Sequence, residues 1–425
     1  MAGEWADLIL GDLGRVVTGK TPLTAVEGNF GGQIPFVTPS DMDGRKTIST
    51  TVRNLTEAGA ASVKGSKIPA GSVMVSCIGS DMGKAAIAGC DCVTNQQINS
   101  IVVDDRFCSE FIYYNLSTRK AEIRHQAAGG SAQPILNKGD FSRLEIFLPP
   151  LAEQKAIAAV LGALDDKIEL NRRMNATLET MARALFQSWF VDFDPVRAKL
   201  DGRQPIGLDP DTAALFPSSF QASLLGLIPH GWKADTLKNR ASRIQYGFTQ
   251  RATEKPNGPH FLRITDIGGG RLDWASVPFC QATDEELEKY RIIDGDIFIA
   301  RTGASTGESF YAVEPPQAVF ASYLIRLQYP SRGIGRLVGE FARTPDYASY
   351  VAGIIGGSAQ PNASAQALAG ATMAFPTEAI ADAFYRTVRP LDLMRAANDR
   401  ESHALTTLRV TLLPKLLSGE MSAAG

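Results

Sequence analysis

A chain of 425 residues exceeds what one ordinary hydrophobic core organises, so two or more domains are expected, each long enough to bury a core of its own. Hydrophobic residues make up 44% and charged residues 21%, the balance of a soluble globular protein, and a net charge of −2 excludes a general attraction to polyanions. No apolar run approaches about 18 residues and the opening MAGEWADLIL lacks a basic segment followed by a long apolar one, which argues against a membrane span and a signal peptide and leaves the cytoplasm as the default location.

In chain order, the stretch from Gln33 to Asp41 reads as an apolar strand ending in small polar residues. Lys67 to Gly79 reads as a turn at Gly71, a buried strand and a second glycine turn. A short helix is predicted over Tyr113 to Arg124. The string GGSAQP from Gly129 to Pro134 predicts a tight turn, in which Ser131 or Gln133 bonds the backbone or a phosphate, and Asn137 to Asp140 predicts a helix cap. From Pro149 to Trp189 the pattern predicts one long helix. Ile157, Leu161, Leu164, Ile168, Asn171, Asn175, Leu178, Ala182, Leu185 and Trp189 fall four and three apart, the spacing of a coiled-coil seam. Such a rod of about 40 residues would be roughly 60 Å long. Asn171 and Asn175 are polar seam positions, which cost stability while fixing register and partner.

Between Asp194 and His230 eight prolines and glycines interrupt every helical or strand period, so a linker or wrapped surface segment is expected. The chain then repeats itself. Gly231-Trp232 to Leu237 matches Glu4-Trp5 to Leu10, Pro259 to Asp266 resembles the strand ending at Asp41, and Arg291 to Gly303 resembles Lys67 to Gly79. A second short helix is predicted over Val338 to Tyr350, and GGSAQP recurs unchanged from Gly356 to Pro361. Gly356 lies 227 positions after Gly129, as Pro376 does after Pro149. The same offset carries the first seam onto Phe384, Val388, Leu391, Arg395, Asn398, Ser402, Leu405, Arg409, Leu412 and Leu416, with polar residues again in the middle. The expected fold is therefore α+β: two tandem, pseudo-two-fold-related globular domains, each followed by a long helix, with the two helices pairing as an antiparallel coiled coil.

Four stretches carry a family resemblance: Leu148 to Ile157 leading into the first helix, Phe190 to Val196 at its exit, Ile228 to Trp232 opening the second copy, and Leu413 to Glu420 near the end. In their order and spacing they resemble the DNA-specificity subunits of type I restriction-modification systems, over essentially the whole chain. The resemblance implies target-recognition domains over 1–147 and 230–374, conserved helices over 148–193 and 375–425, and a linker over 194–229. It implies that each domain reads one half of a bipartite site in double-stranded DNA, and that the helices set the gap and dock two methyltransferase subunits, with endonuclease subunits joining that core. S-adenosylmethionine would then belong to the methyltransferase partner and ATP with magnesium to the endonuclease partner, with no cofactor in this chain.

Specificity in such a protein comes from side chains at base edges, with Arg suited to guanine and Asn or Gln to adenine, while Lys and Arg hold phosphates. Loops beside the repeated strands offer Lys20, Thr21, Ser40, Arg45, Lys46, Ser80, Lys84, Asn95, Gln96, Gln97 and Arg124 in the first copy. In the second they offer Gln245, Tyr246, Gln250, Arg251, Arg263, Thr265, Arg301, Thr302, Ser305, Thr306 and Tyr323. Glu153 and Gln154 are candidate partner contacts. The second copy departs at these places, with Ile380 and Ala381, and has Pro390 where the first has Ala163; a kinked second helix, or one beginning near Pro390, is expected.

Enzymatic readings fail. Gly79 to Lys84 is one residue short of a phosphate-binding loop and is followed by Ala85, and no Asn-Pro-Pro-Tyr or Asp-Pro-Pro-Tyr string is present. His125, His230, His260 and His403 are scattered, and Cys77, Cys90, Cys92, Cys108 and Cys280 contain no CxxC pair, so neither a metal site nor a catalytic residue is assigned. A duplicated protein-binding scaffold without DNA contact is the alternative, favoured by the near-neutral charge.

Overall fold

The computed structural model describes residues 5–127, 134–268, 272–356 and 362–423. The expected roles of Ser131 and Gln133 lie outside them. The chain forms two compact units, 1–169 with 404–425, and 170–403. The division falls inside both long helices, Leu151–Phe186 and Glu378–Leu417.

In the first unit the strands Gly14–Thr18, Ile98–Val103, Val73–Ser76, Ala85–Ala88 and Thr47–Ile48 lie side by side in that order. All neighbours are antiparallel except the last pair. Val73–Ser76 is buried along its whole length, as an apolar run in the middle of a sheet must be. Phe36-Val37 pairs in parallel with Val93-Thr94, and Ala6–Ile9 pairs with Glu145–Leu148, bringing the two ends of the domain together. Two prolines follow, and the first long helix starts at Leu151.

The second unit repeats this plan. Arg243–Tyr246, Leu324–Gln328, Ile297–Ala300 and Ser309–Tyr311 form a sheet in the corresponding order, and His260–Leu262 pairs in parallel with Ala318–Phe320. Lys233–Thr236 pairs with Thr372–Phe375. The fold is α+β.

Three expectations need correction. The segment expected to be a linker contains the helices Asp194–Leu200 and Pro210–Leu215 and a hairpin of Phe220–Ser223 with Gly226–Pro229. Its Val196, Phe216 and Ile228 enter the core of the second unit. Pro195 and Pro210 do not break helices there because they occupy first turns, where a missing N–H costs nothing. Secondly, the short helices are each divided in two. Ser109–Thr118 is followed by Lys120–Gln126, and Arg332–Phe341 by Pro345–Ile355, which Thr344 caps. Thirdly, the second long helix does not begin near Pro390 but runs through it from Glu378. Pro390 and Arg386, whose carbonyl loses its donor, both lie on the exposed side, where water substitutes.

Every position of the two expected seams is buried or half-buried. Within the second unit the helical segments run in opposite directions, since Asn171 donates to Glu401 at 2.8 Å, Asn175 accepts from Asn398 at 2.8 Å, and Glu179 meets Arg395 at 3.6 Å. Arg343 also donates to Glu179. Burial opposes the charged form of Glu179, but Arg343 and Arg395 outweigh it and bring the carboxyl below its usual range.

Each unit fastens its domain to a long helix through an aspartate at the same repeat position. In the first, Asp165 accepts from Tyr114 Oη at 2.7 Å and from Arg409. In the second, Asp392 accepts from Arg336 Nε at 2.7 Å and Nη2 at 3.1 Å, and Glu340 completes the pairing. The side chains of Arg336 and Asp392 are only 3% and 2% exposed. Removing one partner of a buried ion pair costs about 3–5 kcal/mol, whereas losing a hydrogen bond to a charged group costs about 1.5–3 kcal/mol. Asp392→Ala is therefore expected to lower stability more than Asp165→Ala in chemical denaturation; equal losses would contradict the difference in burial.

Candidate nucleic-acid interface

Four loops of the first unit meet at one end of its sheets. Backbone bonds from Gly19 to the carbonyl of Ile98 and from Lys20 to that of Thr94 lay the first loop against the turn at 95–97. Thr21 Oγ1 then donates to Gln96 Oε1 at 2.6 Å. Asn95 Nδ2 donates to Gln97 Oε1 at 2.9 Å. The turn at 38–41 joins through the bond from Asn95 N to the carbonyl of Val37, and is held by Asp41, which accepts from Thr38 N at 2.8 Å and Thr38 Oγ1 at 2.7 Å. Lys84, paired with Asp81 at 3.0 Å, reaches the Pro39 carbonyl at 3.3 Å and brings in the loop that carries Ser80. Lys20, Ser40, Ser80 and Gln96 are exposed on this cluster.

The second unit builds the same frame from different side chains. Gly247 and Phe248 bond the carbonyls of Leu324 and Phe320, Thr249 Oγ1 donates to Ser322 Oγ at 3.1 Å, and Ala321 N donates to the carbonyl of Leu262. Asp266 caps the turn at 263–266 by accepting from Arg263 N at 2.8 Å. Arg301 bonds Tyr323 through its backbone, lies 5.0 Å from the ring centre of Tyr246 and donates to Asn362 Oδ1 at 2.9 Å. Thr302 bridges to Asn362, and Thr306 closes its own loop on Gly303. Thr265 and Tyr323 are exposed, and Ser305 is half-buried.

The frame depends on glycine at one matched place. A Cβ on Gly19 would stand 2.0 Å from the Asn95 carbonyl oxygen, and one on Gly247 would stand 2.3 Å from that of Ala321. No side chain fits there.

Other candidates lie elsewhere or are already engaged. Arg45 pairs with Asp43, whose carboxyl it holds below the usual range. Lys46 reaches Asp166 on the first long helix at 3.2 Å. Arg124 is exposed on the helix Lys120–Gln126. Gln245 is inside the sheet, bonding Arg326 of the buried Arg326–Asp296 pair. Gln250 bonds the Gln281 carbonyl at 3.2 Å, and Arg251 is exposed beside it. Glu153 is half-buried. Gln154 is not a surface contact: it is 2% exposed, accepts from Cys108 N at 2.9 Å and donates to the Pro149 carbonyl at 2.8 Å. It thus serves the helix start at Ser109, where no side-chain cap exists.

The sequence reading missed Thr38, Asp41, Thr249, Ser322 and Asn362. Asp41 and Asp266 end the two strand strings that were matched, so their shared position was the available signal. Among the described residues no group of His, Cys, Asp or Glu could hold a metal ion. Burial pushes the thiols of Cys77 and Cys92 up to about 12, away from the thiolate form that metals bind. No helix among the described residues is long and apolar enough to cross a membrane.

These features define a class: a duplicated α+β protein whose copies carry one loop frame with two sets of side chains, each leading into a long helix. Residues 2–180 match the family model described as the type I restriction modification DNA specificity domain. The chain is 26% identical, over 98% of its length and 94% of the relative's, to the type I restriction enzyme MjaIX specificity subunit of Methanocaldococcus jannaschii. A stretch covering 40% of the chain is 34% identical to 38% of the HindI specificity subunit of Haemophilus influenzae. The type I restriction-modification S subunit from M. genitalium shares the fold, with a TM-score of 0.60 at 16% identity, covering 97% of this chain and 96% of that one. The first 180 residues thus match the type I DNA specificity domain, and the chain is similar over nearly its whole length to a type I restriction enzyme specificity subunit.

Overpacking at a site without slack costs about 1–3 kcal/mol. Gly19→Ala is expected to destabilise the first unit by that order and to speed amide exchange over residues 94–97. Gly247→Ala should do the same over 320–323. Unchanged exchange in both variants would show that the loops are not wedged together.

Proposed function

We propose that each loop cluster reads one half of a bipartite sequence in double-stranded DNA. The observation that carries this is the matched frame with unmatched side chains. Gln96 stands where the other copy has Ser322, Gln97 where it has Tyr323, Thr38 where it has Arg263, and Lys84 where it has Glu308. A frame kept for structure alone would not require the tips to differ, whereas reading two half-sites does.

The long helices set the gap between the half-sites. They contain 36 and 40 residues, which at about 1.5 Å each makes rods of roughly 54 and 60 Å, long enough to span the roughly 34–36 Å of one turn of DNA. Their opposed seams pair as an antiparallel coiled coil and carry two methyltransferase subunits, to which endonuclease subunits add. Glu153 has no acidic counterpart at Ile380, so the two docking places differ in charge. S-adenosylmethionine and ATP with magnesium belong to those partners, and the assembly works in the cytoplasm. The near-neutral chain acquires attraction to phosphate from the partners and from exposed Lys20, Arg124 and Arg251.

Co-expression with its methyltransferase in a methylation-free host is expected to give modified bases in a two-part motif with a fixed gap, lost when this chain is omitted. Sequencing for modified bases reads the outcome. Methylation independent of the chain would favour the scaffold without DNA contact. Affinity of the complex for its duplex should fall steeply with added salt, one counterion being released per phosphate contact. Leu164→Glu with Ile168→Glu should abolish assembly on sizing columns.

A further inference from the structure

We propose that Arg263 reads a guanine in the half-site served by the second unit, an inference that rests on the DNA-reading role given above. Asp266 grips one edge of its guanidinium, accepting from Nε at 3.1 Å and from Nη2 at 2.7 Å. Nη1 and the second hydrogen of Nη2 remain at the far end of the fork. Two parallel donors at that end are what the O6 and N7 acceptors of guanine require.

Two further observations support this reading, and the second favours guanine over a phosphate. The Asp266 side chain is 6% exposed, and its Oδ2, which receives Nε, also accepts from Arg263 N at 2.8 Å, so the guanidinium is held in place while its own side chain stays 36% exposed. The ordering that a flexible arginine undergoes on binding has already occurred on folding. A carboxylate this close would also repel a phosphate, whereas the neutral edge of a base tolerates it. That carboxylate holds the guanidinium charge firmly, raising the pKa of Arg263 above its ordinary value. Arg301 is less suited, because it is drawn across Tyr246 and ties the loop to Asn362 and to the carbonyl of Ala363.

The first unit supplies the internal contrast. Its equivalent turn has the same aspartate cap, but Thr38 replaces the arginine and its hydroxyl occupies Asp41 at 2.7 Å. A guanine contact from this position therefore belongs to one half-site only.

The test uses the full chain with its methyltransferase subunits, comparing wild type, Arg263→Lys and Arg263→Thr by mapping methylated motifs and by binding to duplexes of the wild-type sequence. Lysine keeps the charge without the fork, so it separates bidentate reading from attraction. One half of the wild-type motif is expected to contain a guanine whose preference over other bases drops roughly tenfold or more in both variants, with the other half unchanged. Replacing that guanine by 7-deazaguanine, which lacks N7, should weaken the wild type by a comparable factor and leave the lysine variant nearly unaffected. A wild-type motif that neither variant alters, or an altered half without guanine, overturns the role of Arg263 while leaving DNA reading intact. A wild-type complex with no two-part motif overturns the DNA reading itself.

Discussion

The hold of Asp165 and Asp392 on the helices of their own domains is the interaction on which the placing of everything else in each unit depends. Each aspartate projects from a long helix at a matching repeat position and takes a hydrogen bond from the helix that covers the sheet. The chemistry differs. The first unit uses a phenol and a partly exposed arginine, while the second buries a guanidinium between two carboxylates. An aspartate that must satisfy a donor from a second element tolerates little rotation of that element, because a buried unpaired charge is the costliest outcome available. The sheet, and with it the loop cluster, inherits that orientation.

Above this attachment the loops are assembled chiefly by backbone contacts. Glycine at 19 and 247 allows two chains to approach more closely than any side chain permits, and carbonyl acceptors at 94, 98, 320 and 324 receive the N–H groups of the first loop. The aspartate caps at 41 and 266 close the neighbouring turn in the same way. Side chains beyond these points make few of the bonds that hold the frame, although Thr21 with Gln96 and Thr249 with Ser322 add a matched tie.

Much of this was legible in the amino-acid order, and the physical reasons are specific. The 3.5-residue spacing identified two long helices because a buried stripe must repeat at the helical period, and none of the twenty seam positions is exposed. The duplication was readable from an offset that the strands at Ala6, Lys233, Glu145 and Thr372 keep. Proline was misread twice. It ends helices in their interiors on the buried side, but at Pro195, Pro210 and Pro390 it stands in a first turn or faces water. Gln154 and Gln245 carry polar amides, which points to exposure, yet each satisfies buried donors that the local order does not announce. Which loops converge was not legible either, since the contacts joining residues near 20, 40, 84 and 96 span long stretches of chain.

Because backbone atoms carry the frame, its thermodynamic cost is largely insensitive to which residues stand at the tips. Surface substitutions away from caps and cores usually change stability by no more than about 0.5 kcal/mol. Exposed positions such as Lys20, Ser80 and Tyr323 can therefore drift under selection without a loss of folding. Under the proposed reading of two half-sites, a lineage carrying this architecture is able to explore new recognition sequences by a handful of replacements in one copy, while the other copy continues to supply an unaltered half.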